Sequence, residues 1–243
     1  MTTGRSLRAL ILHGFTGSPS TVDALAPMCA ARDLEYAIPT LRGHGTVPED
    51  LLGVTWRDWY EDGERAFEAL AADDARVLVM GLSMGGLVAL DLASRHRERV
   101  AGVVTIAGAL ELSSPLLPLL SLIAPFKTWW KGAPEAHMPG ESATYARFPL
   151  SGVRTLLDYQ KVVRGRLSEV TAPILAVQTW NDATVRPRSA RAILEGVSSR
   201  DRELARFSRS AHDMLTGCER DAVVARIGAW VDARLPAWWV AHA

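Results

Sequence analysis

A serine between two glycines lies where an apolar segment of the chain changes to a helical pattern. In VLVMGLSMGGLVALDLA, residues 77–93, the residues Gly81, Ser83 and Gly85 fit the pattern G-x-S-x-G. In that pattern the serine lies on a sharp turn between a strand and a helix, with its hydroxyl exposed at the end of the strand. Side chains on the residues two positions before and two positions after the serine would collide there, so both residues have to be small. An incidental serine in a glycine-rich bend is the alternative, but the flanking strand and helix favour a nucleophile.

A serine hydroxyl is a poor nucleophile and needs a neighbouring base. Four histidines follow Ser83: His96, His137, His212 and His242. His212 lies between the last predicted strand and the last predicted helix, in a loop at the carboxyl edge of the sheet. His96 falls within the helix that follows Ser83, His137 within an insertion and His242 at the chain end. The sequence therefore predicts His212 as the base.

An acid behind the base fixes the imidazole tautomer and stabilises the imidazolium. Asp182 follows the strand predicted at 173–178, in PILAVQTWNDATVRP, and is the predicted acid. Asp201 precedes a strand and so lies at the opposite edge, and the side chain of Asp213 is expected to diverge from that of its neighbour His212. A turn-forming carboxylate is the alternative role for Asp182.

The negative charge that develops on the substrate oxygen needs hydrogen-bond donors aimed at it. The backbone N–H of Met84, directly after the nucleophile, is one predicted donor. The second is the backbone N–H of Phe15, in the loop LHGFTGSP, which Gly14 and Gly17 make tight. We expect His13 to form hydrogen bonds within this loop and to take no part in the chemistry.

Short apolar runs that alternate with helical patterns must position these groups. Strands are predicted at 7–12, 35–39, 76–81, 100–108, 173–178 and 202–207, and helices at 20–32, 56–72, 85–96, 187–196 and 219–234. Most of the strands are apolar on both faces, which is typical of a buried parallel sheet. The alternation predicts an α/β fold with a mostly parallel central sheet and helices on both faces. Ligands bind such sheets beyond the carboxyl ends of the strands.

One segment interrupts the alternation. About sixty residues separate the strands at 100–108 and 173–178, and structureless loops of that length are uncommon in compact domains. We predict a small, mainly helical cap insertion at 109–170, with a helix at 151–167, within one domain that spans 1–243. The apolar stretch from Leu116 to Phe126 is open to three interpretations: an acyl pocket, packing of the cap onto the main domain, or contact with lipid.

Charge and composition exclude several classes of function. The chain has 27 basic and 27 acidic residues, which does not favour the basic face of a nucleic-acid-binding protein. No run reaches the roughly 18 apolar residues of a membrane span, and the apolar run after the first residues is too short for a signal segment. We therefore expect a cytoplasmic protein. Cys29 and Cys218 have no metal-site spacing and are expected to be free thiols.

Five segments carry a resemblance to a known family: LILHGFTGSPSTV, PTLRGHGTVPEDLLGVTWRDWYEDGERAF, GLSMGGLVAL, PILAVQTWNDATVRP and SAHDM. Together they resemble the α/β-hydrolase fold superfamily and, within it, small bacterial carboxylesterases and monoacylglycerol lipases. The resemblance implies Ser83 as nucleophile, Asp182 as acid and His212 as base, with Phe15 and Met84 as backbone oxyanion donors.

The resemblance also assigns RGHG, residues 42–45, to the rim of the site, with structural roles for Arg42 and His44. Trp180 and Asn181 depart from the family pattern before the acid. This departure and the Leu-, Pro- and Trp-rich insertion leave the acyl-chain preference open.

The resemblance implies a serine esterase that hydrolyses carboxylic esters with short- to medium-chain acyl groups, monoacylglycerols among them, through an acyl-enzyme intermediate. No metal and no cofactor are expected. The expected partner is a small-molecule ester, with no nucleic acid, and the protein is expected to be a monomer or a homodimer; contact of the cap with a membrane is a secondary alternative. A triad acting on thioesters, amides or carbon–carbon bonds, and a slow-turnover ligand sensor, remain alternatives.

Overall fold

A six-stranded parallel sheet forms the centre of the molecule. The computed structural model describes residues 7–114, 128–131 and 144–235. The central strands are β1 (Leu7–Leu12), β2 (Glu35–Ala37), β3 (Arg76–Leu82), β4 (Val100–Ile106), β7 (Ile174–Thr179) and β8 (Arg202–Phe207). Their order in the sheet is β2-β1-β3-β4-β7-β8, and every neighbouring pair is parallel. All the carboxyl ends of these strands therefore meet at one edge. The strands β5 (Trp129–Lys131) and β6 (Arg147–Pro149) form a separate antiparallel pair.

Six α-helices accompany the strands in the described ranges. They are α1 (Ala26–Ala30), α2 (Trp56–Leu70), α3 (Met84–Arg95), α4 (Leu150–Arg166), α5 (Ser189–Gly196) and α6 (Arg220–Asp232). Short 3-10 turns lie at Pro19–Thr21, Asp23–Leu25, Pro48–Leu51, Ala72–Asp74 and Leu167–Glu169. In the part of the chain described here, no helix combines the length and the apolar character needed to cross a membrane.

The sheet buries apolar side chains on both faces. In β1, Leu10 and Leu12 pack into one layer of the core while Ala9 and Ile11 pack into the other, and all four are fully buried. This division follows from the strand geometry, because successive side chains point to opposite faces. Helices α2 to α5 cover the first face, and α1 and α6 cover the second. Burial on both faces explains why β1, β3, β4 and β7 appear in the sequence as nearly continuous apolar runs.

The helix predicted at 20–32 is wrong, because the segment forms two 3-10 turns followed by the short α1. Pro27 is the reason. Inside a longer helix its ring would clash with the carbonyl four residues earlier and it has no N–H to donate, whereas the first turn of a helix tolerates it. The other predicted strands and helices agree with the structure to within two residues at each end.

The predicted insertion at 109–170 contains structure that the sequence pattern missed. Its described residues include α4, as predicted, but also β5 and β6, whose three-residue length is too short to give an alternating pattern. The backbone N–H of Leu150 donates to the carbonyl of Thr128, which joins α4 to the strand pair. The stretch from Leu116 to Phe126 lies outside the described residues, so its role stays a prediction.

The close approach of α3 to β1 depends on Gly85, which gives a test of the packing. A Cβ on Gly85 would lie 2.3 Å from the carbonyl oxygen of Leu12 and 2.7 Å from that of His13. Since both are backbone atoms, Gly85→Ala is expected to lower the free energy of unfolding by about 2 kcal/mol or more. Urea denaturation measures this loss.

Gly165, also inside a helix, is the matched control. A Cβ there meets no atom within 4 Å, so Gly165→Ala is expected to raise the free energy of unfolding by about 0.5–1 kcal/mol. Equal stabilities for the two variants would contradict the assignment of Gly85 as a packing constraint.

Candidate active site

Ser83 occupies a strained turn between β3 and α3. Its backbone has φ 53° and ψ −113°, a region that residues with side chains seldom adopt. The segment after β4 holds this conformation in place: the N–H of Ser83 donates to the carbonyl of Ile106 at 2.8 Å, and its carbonyl accepts from the N–H of Ala109 at 3.1 Å. The strain is therefore maintained by hydrogen bonds to the neighbouring strand and to the loop that follows it.

Glycines close to Ser83 leave no room for a side chain. A Cβ on Gly81 would lie 2.1 Å from the carbonyl oxygen of Gly85, which confirms the predicted collision across the turn. A Cβ on Gly14 would lie 3.2 Å from the Cβ of Ser83 and 3.9 Å from its Oγ. The loop after β1 thus lies directly against the serine side chain.

The structure brings Asp182 and His212 together. The Nδ1 of His212 lies 2.9 Å from Oδ2 of Asp182, and the Asp182 side chain is fully buried. The other oxygen, Oδ1, accepts the N–H groups of Thr184 at 2.9 Å and Val185 at 2.8 Å. The turn-forming role and the contact with the histidine are therefore both present, each on its own carboxylate oxygen.

Ser83, Asp182 and His212 follow β3, β7 and β8, so all three lie in loops at the carboxyl edge of the sheet. Each is at most 8% exposed. A nucleophile and a base oriented by a carboxylate at one edge are the parts needed for acyl transfer. Asp201, the rejected alternative, lies at the other end of β8, where it accepts hydrogen bonds from the guanidinium of Arg234.

His13 has both ring nitrogens engaged. Nδ1 lies 2.9 Å from the carbonyl oxygen of Gly14, and Nε2 accepts the N–H of Leu41 at 3.1 Å. These partners place the proton on Nδ1. Burial lowers the pKa of His13 to about 4. A neutral ring whose lone pair is already occupied is not available as a base.

His44 and His96 are also held by structural contacts. Nδ1 of His44 lies within reach of the carbonyls of Leu41 and Arg42, and burial lowers its pKa to about 3. His96 follows the carboxyl end of α3, the opposite end of that helix from Ser83. Its Nε2 lies 3.0 Å from Oε1 of Glu64. The remaining candidates, His137 and His242, lie outside the described residues.

The predicted oxyanion donors lie on two rigid segments. The ring of Phe15 packs edge-on against Trp59 and Phe148, each with its centroid 5.7 Å away. Gly152 leaves room for this ring, since a Cβ there would lie 2.7 Å from Cζ of Phe15. Met84 is the first residue of α3, so its N–H has no carbonyl partner within the helix. The role of both N–H groups as oxyanion donors stays a prediction.

Two further segments singled out in the sequence have clear contacts. In the RGHG loop, the guanidinium of Arg42 pairs with Asp58 and Asp62 of α2, and its backbone N–H also donates to Asp62. Trp180 is 57% exposed and packs against the guanidinium of Arg206, 5.1 Å from the ring centroid.

The loop that carries His212 is anchored by Glu219, a residue that the sequence reasoning missed. Oε2 of Glu219 accepts the N–H groups of Arg209 at 2.8 Å and Ser210 at 2.7 Å. The hydroxyl of Thr179, at the end of β7, donates to the carbonyl of Ser210 at 2.7 Å. The only signal in the sequence is an acidic residue at the start of the last helix, where the helix dipole favours negative charge.

The Glu219 contacts predict a pH-dependent contribution to stability. The Ser210 N–H, followed by that of Arg209, holds the pKa of the Glu219 carboxyl below its usual value of 4.5. A carboxyl whose pKa is depressed by folding stabilises the folded state above its usual pKa and loses that contribution as the pH falls through the folded value. Glu219→Gln is therefore expected to be less stable than the wild type at pH 7, with a difference that shrinks below about pH 4.5.

Chemical denaturation from pH 3 to 8 measures this effect. Glu195→Gln, at an exposed carboxylate paired with Arg191 on α5, is the control and is expected to change stability little at any pH. A Glu219→Gln deficit that stays constant over the whole range would contradict the assignment.

The chain is similar in sequence to known proteins. The family model Hydrolase_4, described as serine aminopeptidase, S33, matches residues 7–219. A thermostable monoacylglycerol lipase of Bacillus sp. (strain H-257) is 27% identical over 226 residues, which cover 89% of this chain and 87% of that protein. A carboxylesterase of Bacillus subtilis (strain 168) is 26% identical over 224 residues, 90% of each chain.

Among solved structures, one from work on LipS and LipT, two metagenome-derived lipolytic enzymes, superposes with a TM-score of 0.87 at 29% identity and covers 95% of each chain. The parallel sheet and the strained serine turn are consistent with the family model that matches residues 7–219. The chain belongs to the Hydrolase_4 family, serine aminopeptidase S33, and has the α/β-hydrolase fold.

Proposed function

We propose that this protein is a serine hydrolase of carboxylic esters, with Ser83 as nucleophile, His212 as base and Asp182 as acid. The observation that carries the proposal is the 2.9 Å hydrogen bond between His212 and the buried Asp182 carboxylate, at the sheet edge where Ser83 occupies its strained turn. The relatives named monoacylglycerol lipase and carboxylesterase support the ester bond as the target.

The geometry supports a two-step mechanism. The bond from Nδ1 to Asp182 leaves Nε2 of His212 as the proton acceptor, so the imidazole takes the Ser83 proton as Oγ attacks the ester carbonyl. The backbone N–H groups of Phe15 and Met84 hold the resulting oxyanion. The alcohol leaves with the proton from His212, and a water molecule activated by the same base then hydrolyses the acyl-enzyme.

The proposed substrates carry short- to medium-chain acyl groups, and monoacylglycerols are among them. The relative named monoacylglycerol lipase supports monoacylglycerols as substrates, and the apolar character of the insertion sequence supports an acyl group, since ligand pockets are mostly apolar. The description of the matched family as a serine aminopeptidase makes amide bonds the second candidate. Side-by-side assays with p-nitrophenyl esters from acetate to palmitate, monoacylglycerols and aminoacyl p-nitroanilides distinguish the two.

Ser83→Ala removes the nucleophile and is expected to reduce kcat on esters to background, with folding intact. Ser94→Ala is a matched control, because Ser94 is buried like Ser83 but lies within α3 and donates its hydroxyl to the carbonyl of Asp91. The control is expected to keep wild-type kcat. Hydrolysis of p-nitrophenyl butyrate, followed alongside circular dichroism, measures both. Wild-type turnover in Ser83→Ala would refute the assignment of the nucleophile.

Asp182→Asn tests the acid. An amide NH₂ that faced Nδ1 of His212 would force the imidazole into the wrong tautomer, so kcat is expected to fall about 10⁴-fold. Asp201→Asn alters the alternative acid at the opposite end of β8 and is expected to leave kcat within a few-fold of the wild type. A comparable loss in the two variants would show that Asp182 has no special role.

A further inference from the structure

The acid has a second side-chain partner that the proposed mechanism does not use. Gln178 lies in β7 and is 4% exposed. Its Nε2 donates to Oδ2 of Asp182 at 3.0 Å, and Oδ2 is the same oxygen that accepts from His212 at 2.9 Å. Gln178 and His212 therefore share one carboxylate oxygen.

The direction of the Gln178 amide follows from its surroundings. An ionised carboxylate only accepts hydrogen bonds, so the NH₂ of Gln178 and not its carbonyl must face Asp182. The same Nε2 also lies 3.4 Å from the carbonyl oxygen of Thr179. Both neighbours are acceptors, and together they fix the orientation of the amide.

The other end of the amide is left without compensation. Within the residues that the structure describes, Oε1 of Gln178 is buried and has no hydrogen-bond partner. A buried polar atom without a partner destabilises the folded state, a cost that an apolar residue in the same strand would avoid. Packing alone therefore gives no reason for a glutamine at this position, whereas the contact with Asp182 does.

We propose that Gln178 is a positioning residue that limits the proton affinity of the Asp182–His212 pair, so that His212 is a neutral base at lower pH than it would otherwise be. This inference rests on the proposed function. The N–H of Gln178 withdraws negative charge from Oδ2, and the charge on Oδ2 is what stabilises the imidazolium. With less of that stabilisation, His212 gives up its proton more readily.

Other charged groups on the segments that carry the pair remain unchanged in the test. Asp213 follows His212 in the chain, and Arg209 precedes it in the loop that Glu219 anchors. Arg186 and Arg188 follow the turn that Asp182 forms. Arg188 pairs with Glu111. The first turn of α3 carries no acidic residue. A difference between wild type and a variant at position 178 therefore reports on the amide itself.

The test is the pH dependence of kcat/KM for p-nitrophenyl butyrate in Gln178→Met and Gln178→Glu. Methionine keeps the volume and removes the donor, so the acidic limb of the profile is expected to move to higher pH by about one unit. Glutamate keeps the shape and adds a negative charge next to Asp182 once ionised, so a larger shift in the same direction is expected.

Thr105→Val is the matched control. Thr105 is buried in β4, opposite Ala176 of β7, so the variant changes a buried polar residue in the adjacent strand without touching Asp182. Its acidic limb is expected to coincide with that of the wild type. Thermal unfolding of every variant identifies losses that arise from misfolding.

A second readout does not depend on ester turnover. The proton on Nδ1 of His212 is observed by NMR in protein with ¹⁵N-labelled histidine, assigned by its loss in His212→Gln, and titrated in the wild type and both Gln178 variants. Shifted titrations together with no turnover on any ester would support the role of Gln178 and refute the proposed function. Titrations and acidic limbs that match the wild type in folded variants would overturn the role of Gln178.

Discussion

The strained backbone of Ser83 is the constraint on which the rest of the site depends. A positive φ at a residue with a side chain persists only where its surroundings hold it, and here the hydrogen bonds to Ile106 and Ala109 do so. The turn also requires the glycines at 81 and 85, because a Cβ at either would meet backbone atoms. Thr16 and Ala107, after the adjacent strands β1 and β4, also have positive φ. Three residues with unfavourable backbone conformations thus lie at the carboxyl edge of the sheet, while Asp33, Asp73 and Asp74 have positive φ at the opposite edge.

A second requirement is a set of hydrogen-bond donors around the buried side chain of Asp182. The N–H groups of Thr184 and Val185 donate to one carboxylate oxygen, and His212 and Gln178 donate to the other. The carboxylate therefore shapes its own turn while it orients the histidine, and the contacts of Glu219 fix the loop from which the histidine extends.

The described part of the insertion packs onto α3, the helix that follows Ser83. Tyr159 of α4 is buried beside Asp91 of α3, and burial followed by the Asp91 charge raises the pKa of Tyr159 well above its usual range. The guanidinium of Arg95 pairs with the same carboxylate, with Nε 2.8 Å from Oδ1. At the other end of α4, Gly152 accommodates the ring of Phe15 from the loop after β1. Movement of α4 would therefore disturb both the helix after Ser83 and the predicted oxyanion loop.

The sequence by itself determined the parallel sheet and nearly all of its helices, and it predicted Ser83, Asp182 and His212 as the reacting residues. These follow from local signals: apolar runs buried on both faces, glycines at fixed offsets from a serine, and polar residues directly after strands. The first predicted helix was wrong because Pro27 is tolerated only in the first turn of a helix. The strand pair β5–β6 was missed because three residues are too few to show an alternating pattern. Only the tertiary structure identified Gln178 and Glu219, because their roles depend on which atoms meet across strands and loops. A glutamine inside an apolar strand and a glutamate before a helix look the same in sequence whatever they contact. The turn after β7 brings Asp182 to Gln178, and the loop after β8 brings Arg209 and Ser210 to Glu219.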